Sequence, residues 1–247
     1  MTSRGVADFV FCLDASASMA PCFDAVRTHL VSLIEGLGPA SQVHWDIRFD
    51  FVAYSASELN GQHIFIHRSV FNEDLRTALY LTQSGRLFTT DVELLREQLG
   101  RVRVSGDEAS LVALDFALDM PWRDAAGCHR AVILMTDEPF ERGIFQAEQR
   151  ARLSDLITKI QTLRVMLYMV TPESETFSKL AEVDRCEHVI VDSQGDGLSR
   201  VDYRELLSYV GKSVSVSSLQ ATPGRGQRAL FGQDRWTPTD AWKARDA

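Results

Sequence analysis

Residues 7–18 read ADFVFCLDASAS: an apolar run from Ala7 to Leu13 that stops at Asp14 and turns through Ser16 and Ser18. The run is too short for a helix, and its aromatic and β-branched content reads as a buried strand. Residues 131–136 (AVILMT) form a second run of this kind, almost wholly apolar and ending at Asp137. Apolarity on both faces marks the central strand of a parallel sheet. Working outward, residues 23–37 have helical spacing in Val26, Leu30, Leu33, Ile34 and Leu37, stopped by Gly36, Gly38 and Pro39. Residues 43–54 (VHWDIRFDFVAY) alternate with period two, a strand with one polar face, and 62–67 form a shorter alternating run beside it. Helices are expected at 91–102, from the turn at 105–110 to about 119, and at 154–163, 172–183 and 201–217. Further strands are expected at 165–170 and 189–191. Strands alternating with helices predict an α/β, doubly wound, mostly parallel sheet covered on both faces.

Composition removes several function classes. The chain has 247 residues with 26 Lys+Arg against 34 Asp+Glu, a net charge of -8. It lacks the basic surplus and basic stripe of a nucleic-acid binder. No stretch approaches the ~20 apolar residues of a membrane span, and the N-terminus is not a signal peptide. Cys12, Cys22, Cys128 and Cys186 show no CxxC pair, which argues against zinc and for a reduced, cytoplasmic setting. His63 and His67 share one polar face of a strand but stand about 13 Å apart, too far for one ion. Residues 219–247 are rich in Gly, Pro and Thr, with Leu230, Phe231, Trp236 and Trp242 as possible anchors. They carry a net +2, which leaves -10 on residues 1–218. The expected organisation is one domain over 1–218 and a tail over 219–247.

In an open α/β sheet, ligands gather at the carboxyl ends of the strands. Three segments bring oxygen-bearing side chains there: Asp14, Ser16 and Ser18 after the first strand, Asp137 after the buried strand, and Asp107 in the turn Ser105-Gly-Asp-Glu. Oxygen donors of this kind suit a hard divalent cation, Mg²⁺ first and Mn²⁺ or Ca²⁺ as alternatives. Neutral hydroxyls fill coordination positions without cancelling the ion's charge. Haloacid-dehalogenase chemistry is excluded by Ser16, which stands where the second aspartate is needed. Gly211-Lys-Ser213 lacks the earlier glycine of a phosphate-binding loop.

Asp14-Ala-Ser16-Ala-Ser18-Met19 after an apolar strand resembles the DxSxS motif of von Willebrand factor type A (VWA) domains, and Leu134-Met-Thr-Asp137 resembles the later strand of that family. The resemblance spans residues 7 to 217 and implies a Rossmann-like fold of about six strands with a metal-ion-dependent adhesion site (MIDAS). It implies that Asp14, Ser16 and Ser18 bind the ion directly and Asp137 directly or through water. The family's threonine is missing. Ser105-Gly-Asp-Glu is similar to an intracellular branch with a Gly-Gly-Asp turn and a TDxP stretch, and Pro121-Trp-Arg123 fits as well. Asp107 is placed in the threonine's role, with Glu108 as the alternate. The implied function is an adapter, not an enzyme. It would recruit a protein partner through an acidic side chain that completes the ion's coordination. Candidate partners are MoxR-type AAA+ ATPases, or kinases and phosphatases of bacterial stress or defence systems. The alternatives are a metal-free scaffold working through its tail, and a Mg²⁺-dependent phosphoester hydrolase with Asp107 or Glu108 as base.

Overall fold

The computed structural model describes residues 3–37, 43–59, 62–78, 87–124, 126–193 and 198–219. Seven strands form one sheet in the order β4-β3-β2-β1-β5-β6-β7. In chain order they are β1 (Ser3–Asp14), β2 (Val43–Leu59), β3 (Gln62–Ser69), β4 (Asn72–Ala78), β5 (His129–Met135), β6 (Met166–Pro172) and β7 (Cys186–Val191). The five strands β2, β1, β5, β6 and β7 run parallel, while β3 and β4 fold back antiparallel on one edge. The six expected strands are present, and β4 is the addition. The helices are α1 (Ala20–Gly36), α2 (Val92–Leu99), α3 (Ser110–Leu118), α4 (Gln146–Ala151), α5 (Leu153–Leu163), α6 (Glu175–Ala181) and α7 (Tyr203–Leu219). The tail anchors Leu230, Phe231, Trp236 and Trp242 lie outside the described residues.

Strand parity sorts the core into two layers. Ala7, Phe9, Phe11 and Leu13 of β1 point to one face, under α1 and α7. Val10 and Cys12 point to the other, under α3 and α5. The first layer is closed by a tight helix pair. A Cβ added to Gly211 of α7 would collide with the Leu33 carbonyl of α1, and one on Gly36 with the Ser208 carbonyl. Gly211 therefore serves helix packing, not phosphate binding.

The second layer holds charges. Asp8 of β1 is fully buried, and Arg48 grips it with two bonds of 3.0 and 2.6 Å. Arg123 adds a backbone bond of 2.9 Å and a side-chain bond of 2.7 Å. Burial pushes the Asp8 carboxyl up, and the two guanidinium groups more than offset this, leaving it below its usual range. Arg130 donates to the Arg123 and Leu163 carbonyls and ties the 121–124 turn to β5. Pro121-Trp-Arg123 is thus a structural clamp at the amino end of the sheet.

Polar residues of β2 and β3 prove to be buried. The polar face of β2 is covered: Arg48 is turned to Asp8, and Asp50 is fully buried, accepting from the amides of Phe51 (2.8 Å), Val70 (3.0 Å) and Phe88 (2.9 Å). His67 is likewise buried, stacked on Phe65 and 4.2 Å from the Phe116 ring of α3. The side chain of His63 lies outside the described residues. Glu93, Arg96 and Glu97 do form a solvated face on α2.

Asp8→Ala strands two guanidinium groups and should lower the unfolding free energy by about 3–5 kcal/mol, measured by urea denaturation. Burial pushes the Asp50 carboxyl up to about 6 against the three amide bonds. A folded carboxyl raised above its unfolded value stabilises fully below about pH 4, and that contribution is lost as pH rises to about 6. The stability difference between wild type and Asp50→Asn should therefore shift against wild type by up to about 3 kcal/mol between pH 4 and 7. A flat difference curve would contradict this.

Candidate metal centre

Asp14 closes β1 between β2 and β5, with Tyr54 as its register partner. It is fully buried. One carboxylate oxygen accepts the Ser16 amide at 2.8 Å, and the other accepts the Thr136 hydroxyl at 2.7 Å. These bonds come from the next loop residue and from the end of the neighbouring strand, so the carboxylate is aimed by both. The chain then turns. Met19 N bonds the Ser16 carbonyl, and the Ser16 and Ser18 hydroxyls meet at 3.2 Å. Ser16 is buried and Ser18 is exposed, so the pair leads from the buried carboxylate toward solvent.

Asp137 follows Thr136 at the end of β5. It is 1% exposed, and its Oδ1 has no hydrogen-bond partner. A buried carboxylate oxygen left unanswered costs free energy, so such an atom marks a place for a ligand. Glu138 lies beside it, 3.5 Å from the Arg142 guanidinium.

The 105–109 loop is held by main-chain bonds. Ser105 N donates to the Ala15 carbonyl, Asp107 and Ala56 exchange bonds of 2.8 and 3.0 Å, and Ile144 N donates to the Glu108 carbonyl. Gly106 takes φ +88°, a left-handed turn in which a Cβ would press on Ser55 and the Ala56 carbonyl. Asp107 is exposed and Glu108 half-buried.

Electrostatics links these groups. Burial pushes the Asp14 carboxyl up to about 8, and the charge of Glu108 adds most after that. The Thr136 and Ser16 bonds oppose the shift, and Asp137 adds to it. Burial also raises Glu108, with further repulsion from Glu138, Asp107 and Asp137. The charges of Glu108 and Asp137 thus both act on Asp14. Asp107 and Glu138 act on this group through Glu108. Among the described residues, no basic side chain is ion-paired with Asp14, Glu108 or Asp137.

The donor set is all oxygen and carries repelling carboxylates, which fits a hard divalent cation. Among the described residues, no group of three or more His, Cys, Asp or Glu side chains could hold an ion. The site fits only if the serine hydroxyls count as ligands. Thr136 was read as the end of a strand, and its hydroxyl proves to be a second support of Asp14. Its place directly before Asp137 in the Met-Thr-Asp stretch was the available signal.

Comparison with known proteins agrees with this geometry at the level of the fold. A von Willebrand factor type A protein from Catenulispora acidiphila superimposes with a TM-score of 0.54 at 19% identity, covering 86% of this chain and 43% of that one. The chain has the VWA fold. Proximal thread matrix protein 1 from the mussel byssus gives a TM-score of 0.49 at 15% identity, covering 84% and 45%. The chain spans less than half the length of either. No protein-family model matches it, and no curated protein does. Among the described residues, no helix is long and apolar enough to cross a membrane.

Thr136→Val leaves one buried oxygen of Asp14 unanswered. In the absence of divalent cations it should cost about 1–3 kcal/mol of stability by urea denaturation. An unchanged midpoint would show that the hydroxyl does not support the carboxylate.

Proposed function

We propose that this VWA domain is a protein-interaction module whose carboxyl strand edge binds a divalent cation, Mg²⁺ in the first instance. One observation carries the reading. Two carboxylates stand on the same face of β1, both fully buried, and only Asp8 is ion-paired. Asp8 meets two guanidinium groups, whereas Asp14 meets a hydroxyl, an amide and two further carboxylates. A cation supplied from outside would balance the second. When bound, it would supply positive charge and open coordination positions at the domain surface.

Asp14, Ser16 and Ser18 would hold the ion, with Asp137 engaging it directly or through water. In this reading Glu108, the alternate to Asp107, takes the position of the missing threonine, because it is half-buried and its charge acts on Asp14, whereas Asp107 is exposed. The exposed Asp107 stands outside it. The module is a binder and not an enzyme: the Ser16 and Ser18 hydroxyls meet each other, not an imidazole base. Four free thiols, three of them buried, suit a reducing compartment such as the cytoplasm. The partners to test first are the MoxR-type ATPases, kinases and phosphatases implied by the sequence resemblance.

Calorimetric titration with Mg²⁺ tests the site. Wild type should give a saturable heat and Asp14→Ala none. Glu108→Gln should weaken binding about tenfold, and Asp107→Asn should leave it within about threefold. Equal, negligible heats in wild type and Asp14→Ala would remove the metal reading.

A further inference from the structure

Two segments from different parts of the sheet carry the candidate site. One follows β5 and begins with Thr136 and Asp137; the other, 105–109, leads into α3 and bears Glu108. A closed ring of hydrogen bonds joins them. Ile144 N donates to the Glu108 carbonyl at 3.1 Å. The Ile144 carbonyl accepts Gln149 Nε2 at 2.6 Å, and Gln149 Oε1 accepts Leu111 N at 3.0 Å. Gln149 is 1% exposed, although it lies on the short polar helix α4. The need for it is local. Ala109 caps α3, and a methyl group cannot accept an amide of the first helical turn. Gln149 supplies that acceptor from 38 residues away. Gly143 completes the join, since a Cβ there would meet the Glu108 carbonyl at 2.9 Å.

We infer that Gln149 is a positioning residue of the metal centre: by fastening the segment after Asp137 to the start of α3, it fixes how closely the two segments approach, and so which size of divalent cation the strand edge prefers. This inference rests on the cation reading above. The 105–109 loop is also tied to Ala56 of β2 and to Ala15 behind Asp14, so its position toward β1 and β2 is set without Gln149. Its position toward the Asp137 segment is not. One bond between Ile144 and Glu108 would act as a hinge about which the two backbones could turn. The two further bonds through Gln149 close the ring and remove that rotation. Mg²⁺ demands near-octahedral donors at about 2.0–2.1 Å, whereas Ca²⁺ accepts looser sets at about 2.3–2.6 Å. A fixed approach favours the smaller ion, and opening the ring relaxes that preference.

The test compares Mg²⁺ and Ca²⁺ binding to the full chain by calorimetry, with amide hydrogen exchange beside it. Gln149→Met keeps the length and the buried volume and loses both bonds. It should weaken Mg²⁺ about tenfold and leave Ca²⁺ within about threefold. A loss of stability alone would weaken both ions alike or neither. Gln146→Ala is the control: Gln146 bonds the Glu141 and Gly143 carbonyls at 2.6 and 2.9 Å, within the same segment and without reaching the 105–109 loop. It should leave both ions within about threefold. Should Gln149→Met fail to fold, exchange in wild type decides: Mg²⁺ should slow the Leu111 and Ile144 amides together by about tenfold, and Ca²⁺ should slow them less. An unchanged ratio of Mg²⁺ to Ca²⁺ affinity in Gln149→Met overturns the inference and leaves the metal reading intact. So does an equal change of that ratio in Gln146→Ala, or Mg²⁺ that binds without slowing either amide. Absence of heat from wild type with both ions overturns the metal reading, and this inference with it.

Discussion

The structure depends on β1 being paired along its length by parallel neighbours. With β2 on one side and β5 on the other, the main-chain groups of β1 are spent within the sheet, and its side chains are committed to the two layers. Alternation then places Asp8 and Asp14 in the same layer, at opposite ends, six residues or about 20 Å apart. Neither carboxylate can reach bulk water without breaking the sheet, so each has to be balanced where it stands. At the amino end the chain supplies the balance itself, through Arg48 from the next strand and Arg123 from a distant turn. At the carboxyl end it supplies only dipoles, from Thr136 and the Ser16 amide, and adds like charges. The two ends of one strand thus divide the work. One end is closed by guanidinium groups and holds the fold together; the other has no cationic partner among the described residues, and its carboxyl is pushed up instead.

The division between layers supports this. The layer under α1 and α7 is mostly apolar, with the Tyr168–Ser213 hydrogen bond inside it, and is closed by glycine contacts that admit no extra atom. It gives the sheet one rigid side. The polar groups that need specific partners collect in the other layer: Asp8 with its arginines, Asp50 with its three amides, and Asp14. Asp50 draws the end of β3 and the segment at Phe88 onto β2 through main-chain bonds alone. Lys159 joins α5 to α3 through Asp115 and Asp119. Irregular segments on this side are positioned by carboxylates, not by apolar packing alone.

How much of this could be read from the sequence differs from element to element, for physical reasons. β1, β5 and β6 were legible because burial on both faces demands continuous apolar runs. β4 was not. Its sequence, Asn-Glu-Asp-Leu-Arg-Thr-Ala, is that of an edge strand, held by pairing to β3 on one side and free to carry charge. The short polar helix α4 escaped for a similar reason, since six residues (QAEQRA) give too little period to detect. For β2 and β3, period two fixes parity and not which side meets solvent. Arg48, Asp50 and His67 look like surface residues until the partner of each is known. The places of Asp14, Ser16 and Ser18 after β1 and of Asp137 after β5 could be read from the motif and its distance along the chain. The different exposure of Asp107 and Glu108 could not be read, because adjacent residues of a turn are separated only by its backbone geometry. Gly106 in a left-handed conformation sets that geometry.

That turn also explains how the chain can depart from the threonine of the VWA pattern without losing the fold. The 105–109 loop is held by bonds from Ser105 N, Asp107 N and the carbonyls of Asp107 and Glu108, all of them main-chain. Those bonds do not depend on the identity of the Asp107 and Glu108 side chains. Position 108 can therefore carry a hydroxyl or a carboxylate at little cost to folding, while the charge presented beside Asp14 changes by a full unit. The opposite holds one strand away. Thr136 is fixed by its bond to Asp14, so its side chain has no comparable freedom. Charge at this edge can thus vary at positions 107 and 108 more readily than at Thr136, whose side chain is committed to Asp14.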